Sequence, residues 1–73
     1  MPKLPRTSAS LIIKTLERMG FVVLRQRGSH VILRCKERGC VVPNHKEVAV
    51  GTLRGILRQA EVDMDEFIAR FSE

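Results

Sequence analysis

The stretch 20–34, GFVVLRQRGSHVILR, constrains the fold of this chain more than any other, because it reads as two β-strands folded back on each other at Gly28-Ser29. If those two residues form the favoured two-residue hairpin connection, the register is fixed: Arg27 faces His30, Gln26 faces Val31, Arg25 faces Ile32 and Leu24 faces Leu33. Side chains alternate across a strand. One face is therefore predicted to collect Val22, Leu24, Val31, Leu33 and Cys35. The other collects Arg25, Arg27, His30 and Arg34 around Phe21, Val23 and Ile32. The apolar set requires a core; the basic set invites an anion.

The flanking segments supply that core. Ala9, Ile12, Ile13, Leu16 and Met19 recur at helical spacing, with Leu11 close to the stripe, Ser8 suited to the N-cap and Gly20 to the left-handed position past the C-terminus. The first seven residues, with two prolines and two basic side chains, read as a loose arm. Beyond the hairpin, Cys40-Val41-Val42-Pro43 is a short strand ended by a residue that cannot donate to a ladder. A four-residue loop, Lys36 to Gly39, would set Cys35 opposite Cys40, Val42 beside Leu33 and Val41 beside Arg34. Residues 44–49 read as a loop. Leu53, Ile56, Leu57 and Ala60 mark a helix over about 51–60. Asp63 and Glu66 cap a last helix carrying Met64, Phe67, Ile68 and Phe71. The order α-β-β-β-α, with a short extra C-terminal helix, predicts an α+β two-layer sandwich.

At 73 residues the chain, 1–73, makes one small domain near the lower limit for a core without disulfides or metal, so oligomerisation or a partner is expected. No apolar run is long enough to span a membrane and no leader pattern opens the chain, so a cytoplasmic protein is expected. The net charge of +5 is uneven, +7 over residues 1–38 and −2 over 39–73. A basic half on a small domain favours nucleic acid or another polyanion as partner, and an ordinary solvated surface is an equal reading from charge alone. The chain has no Trp or Tyr, so stacking of bases on aromatic platforms would rest on Phe21 alone. That weighs against readers of single strands that work by stacking.

His30 is the foremost candidate for chemistry. An imidazole moves protons readily near neutral pH, and the neighbouring Arg25, Arg27 and Arg34 suit a phosphodiester whose oxygens gain charge during reaction. The competing reading is a histidine on a sheet surface that only touches phosphate or does nothing. His45, in the loop after Pro43, is either a second acid/base group or substrate contact, or a loop residue bonding local backbone. A zinc site built from Cys35, Cys40, His30 and His45 fails on geometry, since His30 and Cys35 are five apart in one strand and point to opposite faces. Facing each other, the two cysteines could form a cross-strand disulfide, but in a cytosolic protein they are expected to be reduced and to act as small core residues. No nucleophile elbow or phosphate-binding glycine loop is present.

With the helix at 8–19, the run R25-Q-R-G-S-H30, then V42-P-N-H45 and G51-T-L-R-G-I-L-R-Q-A60 in place, the chain resembles the HicA toxins of type II toxin–antitoxin systems over nearly its whole length. The pairing of R-Q-x-G-S-H with T-L-R-x-I-L-R-Q some twenty residues on is what makes the likeness specific. The resemblance implies a fold similar to the double-stranded-RNA-binding domain, messenger-RNA cleavage without a metal cofactor, a catalytic histidine at His30, and neutralisation by a HicB-type antitoxin. Glu61 stands where members of that family often turn with glycine, and the cysteine pair lies outside their pattern.

The sequence thus leads to a metal-independent endoribonuclease with His30 as general base, and with Arg25, Arg27, Ser29, Arg34 and His45 as RNA contacts. The alternative from another class is a non-catalytic RNA-binding module using the same basic face.

Overall fold

The computed structural model describes residues 3–72, in the order α1 (Ala9–Arg18), β1 (Val22–Arg27), β2 (His30–Cys35), β3 (Arg38–Pro43), α2 (Val50–Ala60) and α3 (Met64–Phe71). The strands form one antiparallel sheet in the order β1-β2-β3. Helices cover one of its faces, α2 lying against β3 and α1 packing against α3. This is the expected α+β sandwich, and its core joins Ile12 and Leu16 of α1, Val31, Leu33, Cys40 and Val42 of the sheet, Leu53, Ile56 and Leu57 of α2, and Phe67 of α3. Leu33 and Val42 are fully buried, which fixes the inner side of the sheet.

Local chemistry sets the ends of the helices. Ser8 accepts a hydrogen bond from the Leu11 amide at 3.2 Å and opens α1. Gly20, at φ 102°, closes it: its amide and that of Phe21 return to the carbonyls of Glu17 and Leu16. Helix α2 ends with the same pair of bonds, from Glu61 to Arg58 and from Val62 to Leu57, but the left-handed position is held by Glu61 at φ 56°. The side chain thus sits where glycine would be unstrained. Asp63 Oδ2 accepts from the Glu66 amide at 3.1 Å and starts α3.

The first hairpin departs from the expected register at one residue. Arg27 pairs with His30, Gln26 with Val31 and Arg25 with Ile32 as anticipated, but Leu33 pairs with Val23 rather than Leu24. Leu24 is the extra residue of a β-bulge, and everything before it changes face. Phe21 moves from the basic face into the core, at 2 % exposure, while Val22 and Leu24 leave the core and stand 60 % and 57 % exposed. With its ring inside, Phe21 is unavailable for stacking a base.

The second hairpin slips by two residues. Its turn is Lys36-Glu37 rather than a four-residue loop, so Cys35 pairs with Arg38, and Cys40 with Leu33. Lys36 supplies the positive φ, 58°, that a tight turn requires. A slip of two preserves the faces: Val42 stays in the core, now opposite Val31, and Val41 stays outside, opposite Ile32. Both thiols are free, and the cysteines no longer face each other.

The N-terminal arm also differs from expectation where it is described. Leu4 and Thr7 are buried, and Thr7 forms an antiparallel bridge with Val48, whose amide donates to the Thr7 carbonyl at 2.7 Å. An apolar side chain near an uncovered part of the core gains by packing there. Met1 and Pro2 of that arm lie outside the described residues.

Candidate functional site

The face of the sheet away from the helices is built by alternation in β2 and by what stands opposite it. His30, Ile32 and Arg34 point outward from β2; Arg27 and Arg25 stand across from the first two, and Pro43 and Val41 flank them on β3. His30, Arg25, Arg27 and Arg34 are all exposed. The three strands contain no Asp or Glu. The face therefore presents cations over a small apolar floor of Ile32 and Val41, which suits an anionic ligand with an aliphatic or planar surface.

The arginines differ in what they can reach. Arg27 is the direct cross-strand partner of His30, and Arg25 is one pair further along. Neither guanidinium makes a hydrogen bond or ion pair among the described residues. Arg34 is four residues from His30 in the same strand, about 13 Å away at the rise of an extended chain. Its Nε donates to the Lys36 carbonyl at 3.0 Å, which turns it toward the second hairpin. The structure thus brings Arg25 and Arg27 to His30 and sets Arg34 apart.

Arg38 is a structural cation that the charge pattern did not separate from the others. Its guanidinium donates to the Glu61 carbonyl at 3.2 Å, approaches Cys35 Sγ at 3.8 Å and lies 5.5 Å from the centre of the Phe21 ring. It joins the end of α2 to Phe21, just before the bulged strand, from the helix side, away from His30. The signal was present in the parity of β3, since Arg38 is two residues from buried Cys40, but the expected loop hid it.

Ser29 and His45 meet the site from its end. Ser29 is exposed in the turn and its carbonyl accepts from the Asn44 amide at 2.6 Å. The next residue, His45, donates its amide to the Pro43 carbonyl at 2.8 Å and accepts from the Ala9 amide at 3.0 Å. These bonds stitch the loop 44–47 to both the Gly28-Ser29 turn and the start of α1. An open cavity of about 360 Å³ lies there, lined by Ser8, Ser10, Asn44, His45 and Lys46. His45 faces this cavity, so the two histidines border adjoining surfaces: His30 the sheet face, His45 the depression beside it.

The cysteines take no part. Burial pushes the Cys40 thiol up to about 11, so it stays protonated and inert at neutral pH. Among the described residues no three His, Cys, Asp or Glu side chains come together as metal ligands. No described helix is long and apolar enough to cross a membrane.

Comparison with protein families gives a match over residues 9–62 to the model described as the HicA toxin of bacterial toxin–antitoxin. That span runs from the first residue of α1 to just past α2 and contains the whole sheet. A search of curated proteins found no match.

Proposed function

We infer that this chain, which belongs to the HicA toxin family of bacterial toxin–antitoxin systems, is an endoribonuclease that cleaves messenger RNA without a metal ion and is held inactive by a HicB-type antitoxin. The observation that carries the reading is the cross-strand pair of His30 and Arg27 on an exposed face without carboxylates, with Arg25 one pair away. General acid–base transfer from imidazole and charge stabilisation by guanidinium are the two contributions that phosphodiester cleavage by a 2′-hydroxyl needs.

In this mechanism neutral His30 takes the proton of an RNA 2′-hydroxyl. The oxygen forms a bond to the adjacent phosphorus, and the bond from phosphorus to the 5′-oxygen of the next nucleotide breaks. Arg27 and Arg25 neutralise the charge that builds on the non-bridging oxygens; Arg34, further along the strand, holds a neighbouring phosphate. Ser29 contacts the backbone at the turn. His45, at the adjoining cavity, is assigned the supply of a proton to the leaving 5′-oxygen. The products are a 2′,3′-cyclic phosphate and a 5′-hydroxyl.

Replacing His30 with alanine tests the assignment. The side chain is exposed, so the variant is expected to keep the far-UV circular dichroism of the wild type while losing RNA cleavage and growth inhibition. Full cleavage by a folded His30→Ala protein would remove the histidine from the mechanism.

A further inference from the structure

The two edges of the sheet are treated differently. At the β3 edge, the Val41 amide donates to Gln59 Oε1 of α2 at 3.1 Å, so a helix packs along this strand and satisfies one of its outward amides. Among the described residues the β1 edge has no such cover: all six residues of the strand are exposed. Three consecutive apolar side chains, Val22, Val23 and Leu24, stand there in solvent, more than a third exposed each. An uncovered edge with a run of β-branched and aliphatic residues is a template for another strand.

We propose that the free edge of β1 is a docking site for an extended, acidic segment of the antitoxin, which adds a fourth strand with apolar side chains on Val22 and Leu24 and carboxylates beside Arg25 and Arg27. The proposal rests on the reading of the chain as a toxin held by a protein partner. Charge selects the occupant. A second copy of this chain pairing along the same edge would place Arg25, Arg27 and Arg34 of both copies on one continuous face, with no acid in any strand to offset them. The bulge at Leu24 and the two arginines that follow it discourage such self-pairing. A strand rich in Asp or Glu meets the opposite condition, and its acidic side chains would lie on the face that holds His30. Edge pairing would then supply the register that positions an acidic cover over the candidate active site.

The test uses the toxin with its antitoxin and two readouts. Backbone amides of β1 that point away from β2 are expected to exchange with deuterium freely in the toxin alone and slowly in the complex. Leu24→Asp, a change at an exposed residue, is expected to weaken the complex at least about tenfold while leaving RNA cleavage by the free toxin unchanged, since burying one leucine at an interface is worth a factor of that order. Unaltered exchange in β1 together with unaltered affinity of Leu24→Asp overturns the proposal. Protection of β1 in the toxin alone, with a dimer in sedimentation, overturns it in favour of a second copy. Absence of cleavage by the wild type would instead count against the ribonuclease reading, and the exchange result still decides the edge.

Discussion

Replacing Phe21, Val22 and Leu24 one at a time ranks the side chains at the start of β1 and just before it by burial, and so tests the bulge that sorts them. Phe21 belongs to the core and Arg38 lies 5.5 Å from its ring. Truncation to alanine would cost about 3–5 kcal/mol. A domain of this size has roughly 4–11 kcal/mol in all, so alanine risks unfolding it. Phe21→Leu keeps an apolar residue but loses ring volume and the cation contact, and is expected to cost about 1–2 kcal/mol. With a urea slope of about 1 kcal/mol per molar, the midpoint falls by about 1–2 M. Val22→Thr and Leu24→Thr keep strand propensity at positions already in water, and each should shift the midpoint by less than about 0.5 M. A regular strand would reverse the order, with Val22 and Leu24 inside and Phe21 outside. Urea melts followed by far-UV circular dichroism decide between them, and a larger loss for Val22→Thr than for Phe21→Leu would refute the bulged register.

Three further outcomes follow from particular residues. Glu61→Gly relieves the left-handed conformation that closes α2 and is expected to raise stability by about 0.5–1 kcal/mol in the same melts. Because burial raises the Cys40 thiol to about 11 from 9.0, its contribution to stability is complete below pH 9 and is lost as pH rises toward 11. A thermal melt series should show that decline, and Cys40→Ala should flatten it; Cys35, which is partly exposed, should react with iodoacetamide faster than Cys40. On RNA cleavage, Arg27→Ala, which removes the direct partner of His30, is expected to lower kcat about 10²-fold, whereas Arg34→Ala acts mainly through KM, as steady-state kinetics on a short RNA would show.

Parity carried most of what the sequence revealed. The Gly28-Ser29 turn sets His30 against Arg27, and from there alternation places His30, Ile32 and Arg34 outward without further information. The helices were legible from apolar spacing and from Ser8, Gly20 and Asp63 at their ends. A bulge has no such signal, because a strict period of two cannot register an added residue; only the size of Phe21 hinted that it belonged inside. The second turn is not legible in the sequence, because Lys36 adopts a positive φ without any residue preference announcing it. The slip leaves the faces intact but separates the cysteines, and it hid the role of Arg38. Parity also grouped Arg34 with Arg25 and Arg27, although distance along the strand divides them. Thr15 illustrates the same limit in α1: it is buried, and its hydroxyl is satisfied by donating to the Leu11 carbonyl at 2.7 Å, a bond that composition does not disclose.

The chemistry of the sheet face is tested most directly by the ends of cleaved RNA. Purified protein incubated with RNA in excess EDTA should yield fragments that mass spectrometry identifies as carrying 2′,3′-cyclic phosphates, and His30→Ala should yield none. Intact RNA that shifts on a gel in a salt-sensitive manner, or fragments ending in 3′-hydroxyls, would contradict a histidine acting on the 2′-oxygen.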